Sequence, residues 1–263
     1  MFEYSFIRRA FLAGIMIAIM IPLIGTVVVN RKTSTIGDAL SHTSLAGIFF
    51  GIILGINPIL GGILVSVVSA FLIEFLRSKF PKNGDMATAI VMSLGVGISS
   101  LLSDMISGAS NFEAFLFGSI VSVTVQDLII ISLTLLVTIF IYYYLYYGLL
   151  FISVDNTSSR LAGVNNRLVD YTFTLLLAII IAISARVVGV LIVSSLMILP
   201  VASAIYIGKN YKKTVILSVV FGLIYFIAGL LLSIYMNLKP GGSIILVSVL
   251  GLLLVLLFNK KEK

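Results

Sequence analysis

The sequence contains no cysteine and no tryptophan, a single histidine, and few charged side chains of either sign. Without cysteine, disulfide bonds and cysteine-based metal or redox sites are excluded. Charged residues make up 10% of the 263 residues, whereas a soluble globular domain carries about 25%. Hydrophobic residues make up 60%, which is more apolar surface than one soluble core can bury. The chain is therefore predicted to be an integral membrane protein.

The sequence also lacks any soluble domain of appreciable size and any phosphate-binding loop of the G-x-x-x-x-G-K-[ST] kind. It therefore cannot hydrolyse ATP by that route. We predict a chain that is not an enzyme, with any ATP hydrolysis in a partner chain. The net charge of +7 does not indicate nucleic-acid binding, because the cations cluster at the ends of apolar segments, as membrane topology requires.

Long apolar segments dominate what remains. A membrane-spanning helix needs about 20 apolar residues, and the segments are unbroken rather than alternating, which favours helices over a β-barrel. We predict an all-α, polytopic bundle of about eight or nine transmembrane helices, forming one domain over residues 1–263 of a multi-pass protein of the cytoplasmic (inner) membrane. The predicted spans are roughly 11–29, 36–56, 59–76, 87–107, 127–150, 170–185, 188–207, 214–236 and 243–258.

Two stretches need separate comment. Residues 112–123 are too short to cross a membrane and are predicted to form a half-helix. Residues 170–207 are too long for one helix, so a turn is expected near Arg186 to Gly189. Five cation-rich connections fall on alternate loops, and placing them in the cytoplasm leaves the amino terminus, with Arg8 and Arg9, outside.

Asp38 and His42 are the most informative residues of the chain. They are spaced i, i+4, so that a helix places both side chains on one face. A carboxylate and an imidazole are suitable ligands for a divalent transition metal, and ionisable residues within membranes usually mark an ion or substrate path. Alternatively, Asp38 caps the second span and His42 hydrogen-bonds a neighbouring helix. The spacing alone leaves both explanations open.

Two further segments carry candidate functional residues. The polar loop 153–167 contains Asp155, a good helix N-cap, and Gly163, which suits the position after a short helix. It is either a short surface helix that another protein docks on or an ordinary connection. In the span 188–207, Pro200 is expected to kink the helix and the small residues Ser194 and Ser195 permit close packing. That span either lines a path or packs within the bundle.

Several motifs together resemble one known family, the metal-type permeases of ABC importers, which are the zinc, manganese and iron membrane subunits. The motifs recur in the family's order and cover nearly the whole chain. They are GDALSHTSLAG (37–47), FGSI (117–120), the loop 153–163, VGVL (188–191) with the Leu-Pro pair at 199–200, and PGGSIIL (240–246). The resemblance favours a functional role for the Asp38/His42 pair, which spacing alone left open. It also favours a functional role for the loop, for which composition alone favoured an ordinary connection.

The resemblance implies a homodimer of this chain around a central pathway, a pair of cytoplasmic ATP-binding subunits and an extracytoplasmic metal-binding protein. By position, Asp38 and His42 would contact the transported metal. The loop would be the coupling helix that docks on the ATPase, and its candidate contact residues are Asp155, Arg160, Leu161, Ala162 and Gly163. No permanently bound cofactor is implied. The longer vitamin B12 and siderophore permeases are more distant, since they lack the Asp/His pair.

The metal itself is less well determined. SLAG (44–47) looks more like the zinc-type members, whereas manganese-type members more often carry Leu-Pro-Gly there. Imidazole plus carboxylate also suits manganese or iron(II), so zinc is the first choice and the other two metals stay open. A proton-coupled secondary transporter using Asp38 and His42 is a second hypothesis, and a membrane-embedded enzyme is a poorly supported third.

Overall fold

The computed structural model describes residues 5–80, 82–106, 123–154 and 165–258, apart from the side chains of residues 5–7 and 154. In these ranges it contains ten helices and no strands, which confirms the predicted all-α bundle. The helices are α1 (Ser5–Asn30), α2 (Ile36–Ile53), α3 (Pro58–Lys79), α4 (Gly84–Met105), α5 (Val125–Tyr144), α6 (Tyr146–Val154), α7 (Asn166–Val188), α8 (Val190–Ile207), α9 (Tyr211–Met236) and α10 (Pro240–Phe258).

Within the described ranges, nine helices are long and apolar enough to cross a membrane, and only the short α6 is not. Of the predicted half-helix at 112–123, which contains the FGSI motif, all but residue 123 lies outside the described residues, as does most of the loop 153–167.

Helix α2 lies at the centre of the bundle. It packs against α3, α4, α7 and α8, and 13 of its 18 residues are buried. Glycines allow this crowding: a Cβ on Gly47 or Gly61 would overlap the backbone of the other, so α2 and α3 touch backbone to backbone. Small residues at helix contacts are the usual means of close packing in membranes. The result is a central helix with very little accessible surface.

The expected turn between residues 186 and 189 is confirmed. Helix α7 ends at Val188, α8 begins at Val190, and Gly189 alone separates them with a φ of 97°. Residues with side chains rarely adopt this backbone conformation, so glycine is needed for so short a connection. The turn fixes where α8 starts and hence which of its residues face α2.

The predicted span 127–150 is wrong only in its last residues, 145–150. Helix α5 ends at Tyr144, and a separate helix α6 begins at Tyr146. At this break the hydroxyl of Tyr142 lies 3.1 Å from that of Tyr211 in α9 and 3.2 Å from that of Thr26 in α1. These contacts come from helices distant in sequence, so tertiary packing determines the break. The apolar pattern of the sequence continues through it and therefore predicted one longer span.

Two ion pairs mark the opposite ends of α7. Arg31, just after α1, lies 3.0 Å from Asp170 near the start of α7. At the far end, Arg186 lies 3.8 Å from Asp127 in the first turn of α5. Because α7 spans the bundle, the two pairs define two levels against which the depth of other residues is measured.

Candidate functional site

Asp38 and His42 interrupt an otherwise buried stretch. From Ile36 to Phe49 every residue of α2 is buried except these two, which are partly exposed. They lie one helical turn apart and therefore on the same face. The structure thus brings the two predicted metal-contacting side chains into one small accessible patch on the most enclosed helix.

A third side chain joins this patch from α8. The hydroxyl of Ser194 donates a hydrogen bond to Oδ1 of Asp38. Among the described residues, neither Oδ2 of Asp38 nor the His42 imidazole has a hydrogen-bond partner. Oδ2 of Asp38 and the His42 imidazole are therefore available as ligands, while Oδ1 already accepts the hydrogen bond of Ser194.

Met197 brings α8 close to both α1 and α2. A Cβ on Gly25 of α1 would overlap the carbonyl of Met197, and a Cβ on Gly37 of α2 would overlap its side chain. Gly25, which meets backbone, is therefore needed for the approach that carries Ser194, one turn earlier on α8, to Asp38, whereas the Met197 methyl against Gly37 can shift.

The same contacts give the depth of the site. Gly25 precedes Arg31 by six residues, so the Met197 level lies about 9 Å beyond the Arg31–Asp170 pair at the helical rise of 1.5 Å per residue. Gly37 also contacts Met197, and α2 runs away from the Arg31 end, so His42, five residues on, lies about 7.5 Å further. In a hydrocarbon core of about 30 Å this is close to the middle. The patch thus lies between the levels of the two ion pairs, inside the bundle rather than at its end.

The other pathway candidates have different environments. The hydroxyl of Ser195 donates to the carbonyl of Leu191 in its own helix at 3.1 Å. Ser194 and Ser195 belong to a partly exposed stripe of α8 on the side of the patch. Pro200 is buried, and α8 continues through it to Ile207. Ser194 alone among the three contacts the Asp/His pair.

The five coupling candidates, Asp155, Arg160, Leu161, Ala162 and Gly163, lie outside the described residues. Near them, Asn165 caps α7 by accepting the backbone N–H of Leu168 at 3.3 Å.

The donor set of the patch is small. In the part of the chain that the structure describes, no group of three or more His, Asp or Glu side chains could hold a metal ion. An ion contacting Asp38 and His42 would take further ligands from water or from another chain. Sequence reasoning missed the role of Ser194, because no spacing relates positions 156 residues apart, and only its polarity within an apolar helix set it apart.

A comparison with known proteins gives the family. The model of the ABC 3 transport family matches residues 3–259. The chain belongs to this family. The resemblance to metal-type ABC importer permeases is thereby confirmed, and the nine apolar helices fit a multi-pass protein of the inner membrane.

The curated relatives of this chain include proteins named for different metals. The chain is 36% identical over 257 residues to the "Probable metal transport system membrane protein" of Treponema pallidum, covering 97% of this chain and 96% of the relative. It is 30% identical to the zinc uptake protein ZnuB of Haemophilus influenzae, covering 100% of both. It is 26% identical to the manganese transport protein MntC of Listeria monocytogenes, covering 99% of this chain and 93% of the relative.

Among solved structures, a chain of PsaBC from Streptococcus pneumoniae, in complex with a Fab, has the same fold. The TM-score is 0.89 at 23% identity, over 99% of this chain and 94% of that chain. This ABC 3 family member thus shares its fold with that PsaBC chain over nearly its full length.

Proposed function

We propose that this chain is the permease subunit of an ATP-driven importer of divalent metal ions, with Asp38 and His42 contacting the ion in transit. The observation that carries the proposal is the partly exposed Asp38/His42 patch near mid-depth on an otherwise buried helix. A carboxylate and an imidazole inside a membrane are costly, and a helix that served only for packing would carry apolar residues there.

The chemistry of the pair suits a cation on the move. Imidazole nitrogen and carboxylate oxygen are ligands for zinc, manganese and iron(II). Two ligands do not complete a coordination shell, and a closed site with four protein ligands would retain zinc as a structural ion. An incomplete site offers the ion partial replacement of its water shell and still permits its release.

A second copy of the chain fits this picture. The hydroxyls of Ser194 and Ser195 on α8 and the Asp38/His42 patch lie on one side of the bundle, and polar groups at membrane depth face protein or water rather than lipid. A homodimer whose copies meet across this side would enclose the ion path. Both copies would then present an Asp38/His42 pair to the same pathway.

Energy and delivery come from partners in this proposal. The sequence has no phosphate-binding loop, so cytoplasmic ATP-binding subunits would dock on the loop around Asp155 to Gly163. An extracytoplasmic metal-binding protein would deliver the ion. ATP binding would move the coupling loops and open the path past Asp38 and His42 to one side at a time.

Zinc is the proposed cargo, with manganese or iron(II) as the alternatives. The SLAG motif and the zinc-named relatives support zinc. A manganese-named relative of similar identity supports the alternative. Metal accumulation in a strain lacking this chain, measured for zinc, manganese and iron, would distinguish the three.

The site assignment is tested by Asp38→Ala and His42→Ala in the assembled complex. Each is expected to reduce metal uptake at least tenfold, because each removes one of two ligands from the proposed site. Asp85→Asn, an exposed carboxylate at the start of α4, is the control and should leave uptake unchanged. Normal uptake by both alanine variants would show that the ion takes another route.

The energy source is tested separately. Purified with its ATPase and placed in vesicles, the chain should transport metal only when ATP is supplied. Uptake by this chain alone, driven by a proton gradient without ATP, would favour the secondary transporter instead.

A further inference from the structure

We propose that Ser194 is a specificity-determining positioning residue, whose hydrogen bond to Oδ1 orients Asp38 to bind a metal through Oδ2 and thereby favours ions of low coordination number. This inference rests on the proposed function, since it requires a metal at Asp38 and His42. It concerns a residue on α8, far in sequence from the pair that the motif on α2 contains.

The contact between α8 and α2 carries the inference. The Ser194 hydroxyl donates to Oδ1 of Asp38, so that oxygen already has a partner directed at it. Oδ2 has none among the described residues, and His42 lies one turn further along α2 on the same face. A metal ion approaching the patch therefore meets one free carboxylate oxygen and one imidazole.

The Ser194 hydroxyl donates to a carboxylate on another helix, whereas Ser66, which also reaches across helices, donates to the backbone carbonyl of Ala178. Hydroxyls within helices commonly donate to a carbonyl three or four residues earlier in the same helix. Ser195 does so to Leu191, Ser203 to Leu199 and Thr138 to Thr134. Ser194 instead donates across to another helix, because an ionised carboxylate is a stronger acceptor than a backbone carbonyl.

Rigid packing fixes this hydrogen bond. The Gly189 turn sets the start of α8, and Met197 lies directly against Gly25 and Gly37. Ser194 lies between these two anchors. Its hydroxyl is therefore held in place relative to Asp38 rather than left to find it by rotation of a mobile segment.

The consequence for the ion follows from coordination chemistry. Zinc is satisfied by four ligands, each contributing one atom, which suits a carboxylate bound through Oδ2 alone. Manganese, like magnesium and calcium, prefers about six oxygen-rich positions, and a carboxylate that binds through both oxygens helps to fill them. The Ser194 hydrogen bond lowers the donor strength of Oδ1 and fixes the orientation of the carboxylate. It therefore disfavours binding through both oxygens and biases the pathway toward the smaller coordination number.

The experiment compares Ser194→Ala with Ser194→Thr and Ser195→Ala. Each variant is purified as the complete complex with its ATPase, without the delivery protein, so that the permease alone selects the ion. Dissociation constants for Zn²⁺ and Mn²⁺ are measured, and their ratio is the readout. A ratio does not depend on how much protein assembles, and a purely structural role would not change it.

Ser194→Ala is expected to shift the ratio toward Mn²⁺ by about tenfold, the lower end of effects seen when a partner of a metal ligand is removed. Ser194→Thr keeps the hydroxyl and should retain the original ratio. Ser195→Ala removes a neighbouring hydroxyl that bonds only its own helix, and it should also leave the ratio unchanged.

Three outcomes would overturn the proposal: an unchanged ratio in Ser194→Ala, an equal loss of affinity for both ions, or the same shift in Ser195→Ala. Failure of the proposed function gives a different result. In that case Asp38→Ala and His42→Ala would bind both ions as tightly as the unchanged complex does.

Discussion

Asp127 makes two contacts from one carboxylate at the end of the bundle away from Arg31. It accepts the backbone N–H of Thr124 at 3.0 Å in a capping box at the start of α5, and it pairs with Arg186 at 3.8 Å. Its side chain is only 5% exposed. Arg186, which the sequence left without an assigned environment, therefore compensates a nearly buried charge and ties α7 to α5.

We expect Asp127→Asn to destabilise the protein by about 2–3 kcal/mol, because removing one partner of a buried pair leaves the other charge uncompensated. The amide can still accept from Thr124, so the loss reports the pair. Asp170→Asn breaks the more exposed pair with Arg31, whose side chains are 20% and 26% exposed, and should cost less than about 1 kcal/mol.

The measurement is the thermal midpoint of the purified protein in one detergent. For a chain of this size the Asp127 variant should melt about 5–10 °C lower, and the Asp170 variant within about 3 °C of the original. Equal shifts would mean that burial does not distinguish the two pairs.

Whether a contact between two residues could be predicted depends on how far apart they lie in the sequence. The Asp38/His42 pair is visible in the sequence because helical geometry alone relates positions four apart. The Ser194–Asp38 and Arg186–Asp127 contacts join α8 to α2 and α7 to α5. No local rule relates such positions, so these partners were not predictable from one sequence.

At the scale of elements, the packing of α2 depends on where glycines lie in its neighbours. On α4, Gly95 is buried against Thr43, and a Cβ there would lie 2.8 Å from the Thr43 nitrogen and 3.0 Å from its Cα. Gly97, two residues later, has nothing within 4 Å of the same position. One glycine is needed for the contact, while the other only lowers helix propensity.

Gly95→Ala should therefore destabilise the protein by about 1–2 kcal/mol, since the overlapping atoms are backbone and α2 must move. Metal uptake should fall as well, because Thr43 is next to His42. Gly97→Ala is the matched control, and it should be neutral or slightly stabilising. Thermal midpoint and uptake are measured for both, and similar behaviour of the two variants would contradict the packing argument.

Element boundaries were predictable only where the chain itself ends a helix. The turn at Gly189 follows from an apolar stretch too long for one span and a residue that tolerates positive φ. The break at Leu145 has no such residue, and the tyrosine and threonine hydroxyls that meet beside it come from α1, α5 and α9. The apolar pattern of the sequence therefore predicted one continuous span across the break.

At the scale of the whole molecule, the native chain has no cysteine, so a single introduced cysteine reports its own surroundings without interference. Most exposed side chains of the spans are apolar and suit lipid. The α8 stripe with Ser194 and Ser195 is different, because it carries hydroxyls beside the Asp38/His42 patch. A water-filled path along this stripe would make it chemically distinct from lipid-facing surface.

We expect Ser195→Cys to react with a hydrophilic thiol reagent, because the reactive thiolate forms only where water is present. Leu133→Cys on α5, where the side chain is 63% exposed, should face lipid and remain unlabelled. Labelling is measured by mass in membranes containing the assembled complex. Labelling of position 133 with protection of position 195 would contradict a water path along α8.

The sequence by itself determined the class of the protein, the approximate number of spans, the turn at Gly189 and the candidate pair Asp38/His42. Each follows from composition, from the length of apolar segments or from spacing within one helix, which are local properties of the chain. Only the tertiary structure decided the depth of the pair, the hydroxyl that engages Asp38, the partner of Arg186 and the break at Leu145. These depend on which helices meet, and glycine contacts such as Gly25 against Met197 determine that meeting.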